Sequence, residues 1–170
     1  MKSRGFTLIE LLVVVAIIGL LSTMAVIAMY SARERARETQ AMSDADSITK
    51  AMMLMADDTG KWPNGCPVEE LSTSVANINL SGAGLTERPE VGNYGGKCAW
   101  TDADLAKWNG PYVNDVIDPW GHAYWFDADY YPRKNCGAPD AASEAVILSF
   151  GPNGTGVGAY DCDDIYKNIR

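Results

Sequence analysis

From Phe6 to Tyr30 the chain is almost wholly apolar, and from Leu11 to Leu21 no polar side chain occurs. As a helix this stretch would be about 37 Å long at 1.5 Å per residue, enough to cross a hydrocarbon layer of about 30 Å. After Tyr30 the chain turns polar but stays periodic. Ala25, Ala28, Ala32, Ala36, Thr39, Met42, Ala45, Ile48, Met52 and Met55 recur every three or four residues, the stripe of an amphipathic helix. Small residues fill its early turns, suited to close helix–helix contact, and larger ones its later turns, suited to packing under a globular head. No proline falls between Phe6 and Asp58, so both halves read as one helix of about 53 residues, near 80 Å. Gly60 is placed to end it, with Pro63 beyond. Gly19, Ser22 and Thr23 are its weakest positions.

Beyond the helix the pattern changes. Lys61 to Gly110 carries breakers at short intervals, a loop-rich region with one short helix or strand expected within Val68–Leu80. Three strand candidates are His122–Asp127, Ala145–Phe150 and, more weakly, Tyr94–Trp100. They predict a small antiparallel sheet with one face laid on Ile48–Met55. The fold class is α+β, a long N-terminal α-helix with a small antiparallel β-sheet packed on its second half.

Charge narrows the function. The net of −8 argues against nucleic acid as a partner, because phosphate binding needs clustered Lys and Arg. The one basic cluster, Arg33, Arg35 and Arg37, is interleaved with Glu34 and Glu38 and reads as a solvated helix face. With Lys2 and Arg4 on the other flank, its transfer across a membrane runs against the positive-inside bias. His122, the single histidine, sits in a turn, which leaves no Ser-His-Asp or Cys-His arrangement and no catalytic residue. Asp127 and Asp129 read as a polar strand end. Cys66, Cys98, Cys136 and Cys162 form no CxxC pair and all follow the apolar segment. An even count beyond an export signal suggests two disulfides. Three pairings are open, and loop proximity alone favours Cys66–Cys98 with Cys136–Cys162.

Glu10 is the informative residue. A carboxylate inside an apolar span is costly and marks function by default. No Lys, Arg or His lies between Phe6 and Tyr30, so the partners to expect are the basic leader or an amine freed on Phe6 by cleavage after Gly5. Gly5-Phe6-Thr7-Leu8-Ile9-Glu10-Leu11-Leu12-Val13-Val14 resembles the prepilin N-methylation signature of type IV pilins and type II secretion pseudopilins. The resemblance implies a prepilin peptidase that cuts between Gly5 and Phe6 and methylates the Phe6 amine. It also implies that Glu10 aids recruitment and register during assembly. The organisation expected is a leader (1–5), a transmembrane and filament-core helix (6–30), its amphipathic second half (31–59) and a globular pilin head (60–170).

A second set of motifs points the same way. Trp108-Asn-Gly-Pro-Tyr112, Asp118-Pro-Trp-Gly121 with Tyr124, and Leu148-Ser-Phe-Gly151 with a glycine-rich acidic tail resemble the major pseudopilin of type II secretion. In that family the tail wraps a calcium ion. Here Asn153, Asp161, Asp163 and Asp164 would supply oxygens to such an ion, although Asn153 stands where the family usually has Asp. The chain is also longer over Lys61–Asp104 and has its four cysteines. The reading that follows is a non-enzymatic filament subunit held in the inner membrane before assembly, its head in the periplasm or outside the cell. Its partners would be further copies of itself, minor pilins or pseudopilins, the peptidase, an inner-membrane assembly platform and membrane lipid. The alternatives are a type IV pilus major subunit for adhesion, twitching motility or DNA uptake, and a lone membrane-anchored periplasmic binding module.

Overall fold

The computed structural model describes residues 6–70, 75–93, 96–114, 116–133 and 136–169. Helix α1 runs Leu8–Thr59 without a break. Its C-terminus is closed as glycine allows. Gly60 adopts φ 74°, a left-handed conformation that costs other residues a Cβ clash, and its N–H donates to Ala56 O at 2.9 Å. The chain divides into two compact units, Met1–Arg37 and Glu38–Arg170, so α1 contributes to both. In the first unit every residue from Phe6 to Tyr30 is exposed.

In the second unit α1 meets a four-stranded antiparallel sheet in the order β1-β2-β3-β4. The strands are β1 (Ala76–Asn77), β2 (Trp125–Tyr130), β3 (Glu144–Ser149) and β4 (Ile165–Asn168). Register pairs Phe126 with Ile147 and Leu148 with Tyr166. One sheet face, with Phe126, Ala128 and Ile147, packs on Ala45, Ile48, Ala51, Met52 and Met55 of α1, joined by Trp62, Ile78, Leu85, Trp100 and Tyr124. The other face carries a smaller core of Tyr130, Val146, Leu148 and Phe150, flanked by Trp125, Tyr160 and Tyr166. Tyr130 reaches the same face as Trp125, despite odd spacing, because β2 bulges between Asp127 and Tyr130, which breaks the period-two alternation. The buried stripe of α1 is narrower than its apolar period suggests: Met42 is exposed.

The two strongest strand candidates are strands, each shifted. The first starts at Trp125 rather than His122, because Ala123 is taken by an isolated bridge to Ile117. The second begins at Glu144 and stops at Ser149. The third candidate is corrected. Gly96–Cys98 is a 3-10 turn, and Tyr94 and Gly95 lie outside the described residues. The outer strands are instead β1, inside the Val68–Leu80 stretch, whose residues 71–74 also lie outside, and β4. Neither has an apolar run of its own. Asp127 is another correction. It sits within β2 and is buried, and that burial pushes its carboxyl up to about 6.

The loop region between α1 and β2 is tied down by the Cys66–Cys98 disulfide and by specific polar contacts. A second disulfide, Cys136–Cys162, joins the β2–β3 connection to the β3–β4 connection. Lys61, nearly buried, donates to Ala99 O at 3.1 Å and lies 3.5 Å from the Asp104 carboxylate. Asp104 in turn closes a capping box with Thr101 on helix α2 (Asp102–Leu105).

Candidate functional site

Two places gather the residues singled out by sequence. The first is the start of α1. Gly5 and the rest of the leader lie outside the described residues. Phe6 is exposed, and Thr7 immediately precedes the first helical residue. The Thr7 N–H and hydroxyl both donate to Glu10 Oε2, at 2.9 and 2.8 Å, while the Glu10 N–H donates to Thr7 Oγ1 at 3.3 Å. This is a reciprocal capping box, with a carboxylate in the helix's first turn, where the backbone dipole favours it. Glu10 therefore has an in-chain partner, which corrects the expectation that only the leader or a freed amine could serve. The partner carries no charge, so charge pattern does not reveal it. The Thr-x-x-Glu spacing, read as a cap, does. The contacts occupy Oε2 and leave the other carboxylate oxygen for a second donor.

The second place is the acidic tail. After β3 the chain turns at Gly151, whose φ is 57° and whose α-carbon lies so close to the Asp163 carbonyl that a Cβ would collide with it. Asn153, Asp161, Asp163 and Asp164 are brought together here. The Asn153 N–H donates to Asp163 Oδ2 at 2.9 Å. The Asn153 side-chain amide donates to Asp161 Oδ2 at 2.9 Å and to Asp163 Oδ1 at 2.6 Å, and its oxygen accepts the Thr155 N–H. Asp164 Oδ2 faces elsewhere, accepting from Tyr130 Oη at 3.0 Å and the Asp161 N–H at 3.2 Å. Burial pushes the Asp164 carboxyl up to about 7. Burial also raises Asp163, helped by the neighbouring Asp161. In Asp161 burial is outweighed by hydrogen bonding, and its pKa falls. Cys162, between Asp161 and Asp163, carries the disulfide to Cys136.

Calcium takes six to eight oxygens. In this arrangement most of the tail's carboxylate oxygens already accept hydrogen bonds, and Asn153 presents its nitrogen to the acids. Asp161 Oδ1 and Asp164 Oδ1 are the buried tail oxygens without a partner. Among the described residues no three His, Cys, Asp or Glu side chains are arranged to hold a metal ion. As placed, the four residues do not fit calcium.

The remaining motif residues hold the head together. Asp118, buried, accepts the N–H groups of Trp120 and His122 at 3.0 and 2.8 Å and the Ser149 hydroxyl at 2.6 Å. This locks the Asp-Pro-Trp-Gly turn to the end of β3. Ser149, Asp118 and His122 are thus neighbours, but the aspartate stands between the other two, the wrong order for a histidine to activate the serine. The Tyr112 hydroxyl donates to Asp58 at 2.7 Å, tying the Gly-Pro-Tyr segment to the end of α1. Tyr124 Oη lies 3.2 Å from Asp44 Oδ2.

Comparison with known proteins bears on the N-terminus first. Residues 1–26 match the family model of the prokaryotic N-terminal methylation motif. A type II secretion system core protein G of Vibrio cholerae is 26% identical over 167 residues, 96% of this chain and 95% of the relative. Another, from Pectobacterium carotovorum, is 33% identical over 63 residues, 37% of this chain and 40% of the relative. A "Probable minor fimbrial protein" of Dichelobacter nodosus is 36% identical over 91 residues, 53% of this chain and 55% of the relative. The stronger identities thus span about half of the relatives' length or less, and the full-length likeness is weaker. No solved structure matches the chain. The chain thus carries the prokaryotic N-terminal methylation motif on a long apolar helix with an α+β head behind it, and it is similar to core protein G of type II secretion.

Proposed function

We propose that this chain is the repeating subunit of an extracytoplasmic helical filament, of the major pseudopilin kind that serves type II protein secretion. The observation that carries the reading is the start of α1. A capped carboxylate, Glu10, stands four residues behind Phe6 in a segment exposed along its whole apolar length. Such a segment requires lipid or other helices around it, and a filament core of identical helices supplies them after the membrane does. Cleavage after Gly5 would free an amine on Phe6, and methylation would keep it basic. The Glu10 oxygen not used by Thr7 would then accept from the Phe6 amine of a neighbouring copy. The head stays outside the membrane, and the subunit has no catalytic role. The prepilin peptidase, minor pseudopilins and an inner-membrane platform are the partners this pathway requires.

The test is Glu10→Ala, with processing followed in parallel. Cleavage after Gly5 stays intact while filaments and crosslinked multimers are lost. Normal filaments from this variant would overturn the reading. If the unaltered chain gives no multimer ladder when crosslinked near Phe6 in cells, it is a lone membrane-anchored module instead.

The likeness to the Dichelobacter fimbrial protein, at higher identity over a shorter span, favours a second reading as a type IV pilus subunit. Gene neighbourhood separates the two. A secretin with secretion-specific platform genes marks secretion, and a retraction ATPase marks a pilus.

A further inference from the structure

The acidic tail poses a physical problem: the Asp161 and Asp163 carboxylates converge on one group, the Asn153 amide, and like charges brought together oppose the fold. A divalent cation is one solution. The geometry here contains another. The Asn153 NH2 group has two hydrogens, and two acceptors stand in front of it, Asp161 Oδ2 at 2.9 Å and Asp163 Oδ1 at 2.6 Å. Which end of the amide faces the acids is fixed from behind. The Thr155 backbone N–H points at the other end, and a donor there requires the oxygen. A third contact, from the Asn153 N–H to Asp163 Oδ2 at 2.9 Å, aligns the carboxylate with the loop. Asp164 is held apart by Tyr130 and the Asp161 N–H.

We propose that the Asn153 side-chain amide closes this turn in place of a divalent cation, and that the residue at 153 decides whether the turn needs calcium. A carboxylate at 153 would lose both donors and bring a third anion against Asp161 and Asp163. That set is repulsive by itself and becomes a calcium cage when the ion is supplied, since hard oxygen ligands with converging charge are what calcium takes. An alanine at 153 would lose the donors without adding charge. The two variants therefore separate the amide's bridging from ordinary packing.

The experiment uses the full chain in detergent micelles. Melting is followed by tryptophan fluorescence, because all five tryptophans lie in the Glu38–Arg170 unit. Each protein is melted in excess calcium chloride and in chelator, and calcium binding is titrated calorimetrically. The unaltered chain melts at the same temperature in both, to within about 1 °C, and takes up no calcium. Asn153→Asp melts about 4 °C or more lower in chelator, recovers in calcium and binds the ion near one to one. Asn153→Ala melts lower in both and does not recover. A calcium-stabilised unaltered chain overturns the proposal, because the amide would then be turning over to admit the ion. So does an Asn153→Asp variant as stable as the parent in chelator, or one that calcium fails to restore.

Discussion

The two halves of α1 share one continuous helix and differ in what they bury. From Phe6 to Tyr30 every side chain is exposed, although most are large and apolar. From Ala41 to Thr59 the helix is mixed in composition, yet Ala41, Ala45, Ile48, Thr49, Ala51, Met52, Met55 and Thr59 are all buried. The more hydrophobic half has no core in this chain, and the less hydrophobic half carries the head's core. Hydrophobicity alone therefore does not say where a segment is stabilised. The first half buries nothing against the described residues of this chain, and the second packs on β2, β3 and the aromatic residues around Trp100 and Tyr124.

The sharpest way to break this contrast is a matched pair of truncations. Ile48→Ala removes a fully buried side chain and lowers head stability by about 2–5 kcal/mol, read as a drop in the tryptophan melting transition. Leu20→Ala leaves that transition in place and lowers filament yield instead. Equal effects on melting would mean that the first half contributes to the head's stability.

A smaller effect is expected at the helix start. Thr7→Ala removes the hydroxyl that donates to Glu10 and accepts from the Glu10 N–H. It weakens the first turn by about 1 kcal/mol. Hydrogen exchange at Leu8–Leu11 accelerates and filament yield falls, with no change in head melting. If Glu10 acted through charge alone, Thr7→Ala would assemble as well as the parent.

The smallest effect belongs to the sheet's outer face and is pH-dependent. Burial lifts Asp127 to about 6 and Asp164 to about 7, both above the value of about 3.9 for an unfolded aspartate. Between those limits the folded chain holds more protons than the unfolded one, so stability falls as pH rises from about 4 through 7. Asp161, with its lowered pKa, acts in the opposite sense, and only in more acidic solution. Melting at pH 5 should therefore exceed melting at pH 8, and Asp127→Asn should shrink the difference. A flat profile in the parent would show that these acids are better solvated than their burial implies.

Much of this architecture was legible along the chain because its signals are local. An apolar run without breaks, a glycine closing the helix and an aliphatic strand at Ala145–Phe150 need no distant partner to be read. The outer strands were not legible. β1 is two residues long and β4 begins with a single isoleucine, so both exist through pairing with β2 and β3 rather than through a pattern of their own. The burial of Asp127 was equally hidden, since an acid followed two residues on by another, Asp129, signals a polar strand end until a second core is laid over that face. Thr7 differs: its cap with Glu10 is written locally, at i and i+3, but through a hydroxyl that carries no charge to pair with the acid.

The amino-acid sequence by itself determined the membrane-length helix, the processing signature at Gly5-Phe6, the placement of Glu10 and the acidic character of the tail. These depend on residue type and spacing within a few turns of chain. Only the tertiary structure decided which half of the helix carries the core, how the cysteines pair and which way the Asn153 amide points. The first two are contacts between segments far apart in the chain, and the third is the closing of one turn by Thr155, Asp161 and Asp163; each is set by which surfaces are left to bury and which donors are left to satisfy.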